Sequence, residues 1–199
     1  MGHYPPGVRR TLLCLLALAA LVGCGDDDSA TATKDAALAK ALKQGGVVLV
    51  MRHAKTENTT DRVETIGDCT TQRNLSAEGR EQARRIGRDI KALGVPVKTV
   101  LASPLCRAKE TADLAFGHST VRMALLSAGE EATPADERRI RKLRAMSSAP
   151  AGSATVLVTH TGNIGGAYDL SVEEGEVVVV RDGKVLGTVK PQDWKRLAE

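Results

Sequence analysis

The chain has 199 residues, 42% of them hydrophobic but only 2% aromatic, with 28 basic side chains against 24 acidic ones. Two of the basic residues, Arg9 and Arg10, sit in an N-terminal segment read below as a cleaved signal, and 26 against 24 is too even a balance to argue for a nucleic-acid partner. The length suits one domain whose core must be built from Val, Leu, Ile and Ala.

Arg9-Arg10, the apolar run Thr11 to Val22 and then Gly23-Cys24 follow the order of a secretory signal. The run is shorter than the roughly 20 apolar residues a spanning helix needs. Leu21-Val22-Gly23-Cys24 resembles a bacterial lipobox. That resemblance implies cleavage before Cys24, lipid on its sulfur and amine, and an extracytoplasmic protein anchored in the cell envelope. An ordinary secretory signal with an incidental cysteine is the alternative. The expected organisation is therefore a signal over 1–23, a flexible tether over 24–35 and one domain over 36–199. The tether rests on Gly25 to Lys34, which is acidic, small and polar, with nothing to bury. Cys14 leaves with the signal. Cys69 and Cys106 would meet an oxidising compartment and are expected to pair, two buried free thiols being the alternative.

Within the domain, Ala36 to Lys43 has helical spacing and stops at Gly45-Gly46. Val47 to Met51 is a continuous apolar run, as in a strand buried on both faces. Lys55 to Thr71 is polar without a period, a loop long enough to suspect function. Ser76 caps a predicted helix with Glu78 in its first turn, and Ala83, Ile86, Ile90 and Leu93 form its apolar stripe. Val97 to Ala102 reads as a second strand. Ser103-Pro104 reads as a cap plus a first-turn proline, opening a helix that runs to about Phe116. Val121 to Leu126 is expected to be a third strand, Thr133-Pro134 a second cap-plus-proline start, and Thr155 to Thr159 a fourth strand ending at His160. Val177 to Val180 and Val185 to Val189 flank Asp182-Gly183, a favoured hairpin turn. Asp193 to Leu197 is a terminal helical turn. The five basic residues from Arg138 to Arg144 read as a solvated helix face.

Alternation of strands and helices gives an α/β class: a three-layer sandwich with a mainly parallel central sheet flanked by helices and a C-terminal hairpin. Ligands of such sheets bind beyond the carboxyl ends of the strands. Strand one ends at Arg52-His53, strand two leads to Ser103 and Arg107, and strand four ends at His160. Two guanidiniums beside two imidazoles require an anion, and the planar arginine fork suits phosphate oxygens. The positive field disfavours protonated histidine, so His53 could attack phosphorus as a neutral imidazole, form a phosphohistidine and be released by water. His160 and the arginines would hold the equatorial oxygens. An alkoxide leaving group would still need a carboxylic acid nearby.

Val50-Met51-Arg52-His53-Ala54, Asn74-Leu75-Ser76-Ala77-Glu78-Gly79, Ser103 to Ala112 and Val158-Thr159-His160-Thr161-Gly162 together resemble, in order and spacing, the signature blocks of the histidine phosphatase superfamily, which includes the phosphoglycerate mutases. The resemblance implies His53 as nucleophile, with Arg52, Arg107 and His160 as the phosphate pocket. Thr56 matches a position where many members direct a Ser or Thr toward the phosphate. Ala54 replaces the usual glycine. The mutases' pocket-shaping insertions are not evident, which points to a small, open phosphatase site rather than a mutase. By order along the chain Glu130 or Glu131 would supply the acid, with Glu173, Glu174 and Glu176 as later candidates; Glu130 is the first choice. A Cys69–Cys106 bridge would tie the active-site loop to the phosphate-binding helix and set Arg107 in place.

Two other readings are weighed against this one. His53, His160, Cys69 and Cys106 are zinc-type ligands, but Cys-x-x-Cys and His-x-x-x-His spacings are lacking and the arginines oppose a cation. The expected chemistry uses no metal and no cofactor. The second alternative is a non-catalytic lipoprotein that binds phosphorylated ligands, since folds change function freely. A phosphorylated small molecule or phosphoprotein is the expected partner, besides the membrane.

Overall fold

A computed structural model describes residues 26–62, 66–129 and 133–198. The signal segment, the Cys24 lipobox, Glu130 and Glu131 lie outside the described residues. Among the described residues no helix is long and apolar enough to cross a membrane.

Six strands form one sheet: β1 Val47–Arg52, β2 Val97–Ala102, β3 Thr120–Val121, β4 Ala154–Thr159, β5 Val177–Arg181 and β6 Lys184–Val189. Their order is β3-β2-β4-β1-β5-β6, parallel from β3 through β1 and antiparallel beyond. The helices are α1 Asp26–Gln44, α2 Ala77–Ala92, α3 Cys106–Phe116, α4 Pro134–Ala145, α5 Thr161–Tyr168 and α6 Trp194–Ala198. This is the expected three-layer arrangement.

The uninterrupted run in β1 is explained by burial on both faces. Val47, Leu49 and Met51 point into a cluster with Leu42, Ile86 and Trp194, while Val48 and Val50 pack with Leu125, Leu143 and Ile164. Successive side chains of a strand face opposite ways, so the two clusters are the two inner faces of the sandwich. All five strand residues are fully buried, each worth about 1.5–3 kcal/mol relative to exposure. The hairpin closes through Asp182 (φ 49°) and Gly183 (φ 76°), both left-handed, which matches the twist of the flanking strands.

Three expectations need correction, and one helix is not among the expected elements. The third strand is only Thr120–Val121, followed by a 3₁₀ turn at Met123–Leu125; Leu125 is buried beneath α4 rather than paired in the sheet. The segment expected to be a tether is helical from Asp26, continuous with α1. Asp35 forms an ion pair with Arg196 of α6. The third helix begins at Cys106, with Leu105 as its cap residue and no side-chain cap bond; Ser103 is directed to the site instead. Finally α5 follows His160 directly. Its sequence TGNIGGAY carries three glycines and gives little helical signal. The caps at Ser76 and Thr133 are as expected: Ser76 accepts from the Gly79 N–H, and Thr133 forms a reciprocal box with Asp136.

Candidate active site

Register brings the two histidines together. Arg52 on β1 is opposite Thr159 on β4, and the strands are parallel, so the next residues, His53 and His160, leave the same sheet edge side by side. Their ring centroids are 5.3 Å apart. Ser103 leaves the neighbouring strand at that edge, its N–H donating to Val158 O at 2.9 Å. His53, His160 and Arg107 are only 2%, 3% and 4% exposed.

The His53 backbone is fixed by its N–H to Thr159 O (3.1 Å) and by the Gly175 N–H to His53 O (3.0 Å). Its Nδ1 lies 2.9 Å from Ala54 O. A carbonyl only accepts, so Nδ1 carries the proton and the lone pair is on Nε2. The Ala54 N–H donates to Thr111 Oγ1 (3.0 Å), which donates in turn to Arg107 O (2.6 Å). One threonine therefore ties the end of β1 to the first turn of α3. Gly79 allows α2 to start against the same segment, since a Cβ there would lie 1.8 Å from Lys55 O.

His160 Nε2 meets Ser103 Oγ at 2.8 Å, and its buried Nδ1 has no protein partner. Arg52 is held by Nη1 donating to Val172 O at 2.8 Å. Arg107 Nη1 is 2.8 Å from Asp61 Oδ2, although the pair lies off the N–H axis and is a charge contact rather than an aligned hydrogen bond. Buried Nε atoms of Arg52, Arg73 and Arg107 have no partner, nor has Gln72 Nε2. Gln72 is oriented by the Cys106 N–H, which donates to its Oε1 at 2.9 Å.

Burial is the main cause that lowers the pKa of both imidazoles. At His53 the fall is to about 3, with Arg107, Arg52 and Arg73 adding to it. His160 is also pushed down, by burial first and then by His53 and the same three arginines. The expectation that neighbouring arginines keep His53 neutral is thus right in direction, but burial contributes more. Burial lowers Arg52 and Arg107 as well, opposed by Glu174 and Asp61 respectively; both remain charged because guanidinium starts so high. The unfolded chain takes up protons on these histidines below about pH 6.5 while the folded protein keeps them neutral, so folding should weaken as pH falls from 6.5 toward 3. Urea midpoints across that range check this, with His53→Gln showing a shallower decline.

The structure brings together Arg52, His53, Arg107 and His160. Glu174, one of the later acid candidates, lies here too: Oε1 accepts from Thr56 Oγ1 (2.8 Å) and lies 3.7 Å from Arg52 Nη2 and 3.9 Å from His53 Nδ1. Thr56 therefore gives its hydroxyl proton to Glu174. Glu176 Oε2 accepts from the Glu173 N–H (2.9 Å), a local turn contact. Cys69 and Cys106 are joined by a disulfide. Among the described residues no group of acidic, His and Cys side chains could hold a metal.

Residues 48–127 match the model of the histidine phosphatase superfamily (branch 1). That match spans 80 of the 199 residues and takes in β1, Arg52, His53 and Arg107. The fold agrees with solved structures: that of the protein histidine phosphatase SixA complexed with tungstate aligns with TM-score 0.52 at 18% identity, covering 74% of this chain and 98% of that one. Phosphoglycerate mutase from Thermus thermophilus aligns with TM-score 0.52 at 21% identity, covering 72% and 98%. No curated protein matches the sequence.

Relative to the superfamily motifs, the sequence reading missed Asp61, Gln72 and Arg73. They sit in or just after an aperiodic loop, where neither spacing nor hydropathy marks a residue as facing the site. It also assigned Ser103 to a helix cap, when the hydroxyl serves His160.

Proposed function

We propose that this chain is a member of the histidine phosphatase superfamily, that it hydrolyses phosphomonoesters through a phosphohistidine on His53, and that lipid on Cys24 anchors it in the cell envelope. The observation that carries the catalytic reading is a buried set of N–H donors without protein acceptors, on side chains that neighbour the His53 imidazole. Arg52, Arg73 and Arg107 each contribute an unpartnered Nε. A Ser103 hydroxyl that donates to His160 Nε2 leaves the proton on Nδ1, a further unpartnered donor. A phosphoryl group supplies acceptor oxygens for all of them.

In the first half-reaction His53 Nε2 attacks phosphorus in line, with Nδ1–H held by Ala54 O so that the ring neither turns nor loses its tautomer. The guanidiniums and His160 hold the equatorial oxygens as charge redistributes. Water then splits the phosphohistidine. The lowered pKa of His53 keeps its nucleophile available at neutral pH. Among the described residues the site is formed by strand ends and connecting loops with no large covering domain, which favours small or exposed phosphomonoesters over a mutase reaction.

Purified protein should turn over p-nitrophenyl phosphate, with tungstate as a competitive inhibitor. Tungstate binding without turnover of any ester in a panel would instead indicate a phospho-ligand-binding protein. The anchor is tested separately: Cys24→Ala should abolish membrane fractionation, and a variant still anchored would overturn it.

A further inference from the structure

The proposed reaction needs a proton for the departing alkoxide. Two carboxylates among the described residues pair with cations of the site, Glu174 and Asp61. Glu174 is poorly placed for this task. It sits toward the Nδ1 edge of His53, while an in-line leaving group lies out beyond Nε2. It is also engaged by both the Thr56 hydroxyl (2.8 Å) and the Thr56 N–H (3.4 Å).

Asp61 stands on the Arg107 side of the site instead. It comes from the polar loop after β1, and its side chain is 28% exposed while the Arg107 side chain it meets is 5% exposed. It therefore stands between solvent and the buried cations. Oδ1 accepts from the Arg73 N–H at 3.1 Å, and Oδ2 lies 2.8 Å from Arg107 Nη1. The next residue is fastened too, the Arg62 N–H donating to Thr71 O at 3.0 Å, beside the turn that carries Cys69.

Resting on the phosphatase reading, we infer that Asp61 is the general acid and base of the reaction. Its charged neighbours are Arg107 on α3 and Arg73 on the segment leading into α2. A bound phosphoryl group takes over Arg107 and so releases Asp61 Oδ2 from its ion pair. As the His53 Nε2–P bond forms, the P–O bond breaks, its electron pair goes to the leaving oxygen, and that oxygen takes the Asp61 proton. The Asp61 carboxylate then removes a proton from water as the water oxygen attacks phosphorus. The N–P electron pair returns to His53, inorganic phosphate leaves, and Asp61 is protonated again.

The test compares kcat/KM for glycerol 2-phosphate and p-nitrophenyl phosphate in wild type, Asp61→Asn and Asp61→Glu. An alkoxide needs a proton far more than a nitrophenolate does. Asp61→Asn should lose about 10²–10³-fold on the alkyl ester, a loss at least about tenfold greater than on the aryl ester, and Asp61→Glu should recover part of it. The ratio of two substrates on one preparation does not depend on the folded fraction. Equal losses on both esters would make Asp61 only a positioning partner of Arg107, and equal gains would make it a carboxylate that competes with substrate; either overturns the inference. If wild type turns over neither ester, the phosphatase reading fails, and this role with it. Wild-type turnover with an unchanged ratio overturns the role of Asp61 alone.

Discussion

His53→Ala should lower kcat for p-nitrophenyl phosphate by about 10⁴-fold or more while tungstate still binds within a few-fold of wild type. A good leaving group bypasses the acid, so this substrate isolates the nucleophile. No neighbour can replace it. His160 is the nearest imidazole, but its Nε2 is tied to Ser103 and its ring centroid is 5.3 Å away. The donors that hold the anion come from other residues, and the backbone bond from residue 53 to Thr159 O does not need the side chain. Steady-state kinetics and tungstate inhibition on the same preparation check both halves. A variant that keeps its turnover would exclude His53 as the nucleophile.

Removing the Cys69–Cys106 bond should have the largest effect on stability. The bond closes a loop with a sequence separation of 37, for which the chain-entropy relation gives about 3–4 kcal/mol. Its position adds a functional cost. Cys106 precedes Arg107, and its N–H orients Gln72, which is followed by Arg73. Without the bond, the segment carrying Gln72 and Arg73 is held to α3 mainly by that one hydrogen bond and by Asp61. Cys69→Ser/Cys106→Ser should therefore lower the urea midpoint and raise KM by about tenfold, with a smaller change in kcat. Equal midpoints and equal KM with and without reductant would show the bond to be incidental.

Much of this was legible in the sequence because two physical signals are strong. The run Val47 to Met51 could only be satisfied by burial on two faces, which fixed the central strand and hence the sheet edge where Arg52 and His53 emerge. Ser76 and Thr133 marked helix starts because unpaired N–H groups there need an acceptor. The failures are instructive in the same terms. Ser103-Pro104 has the composition of a helix start, but a hydroxyl that can cap can also bond an imidazole, and here His160 wins. Val121 to Leu126 has strand-like hydrophobicity, yet only Val121 of it finds a partner strand, together with Thr120 just before it. Asp61, Gln72 and Arg73 were hidden because tertiary contacts alone bring them to Arg107 and Cys106. Glu174 stood among several acids after β4, and only the fold singles it out as the partner of Thr56 and Arg52.

The measurement that tests the account most directly is rapid acid-free quenching during turnover of p-nitrophenyl phosphate, followed by peptide mass analysis. One phosphoryl group on the peptide containing His53, formed and lost at rates consistent with turnover and absent from His53→Ala, is the predicted result. Turnover by wild type with no such species, or with the phosphoryl group on another residue, would contradict the account.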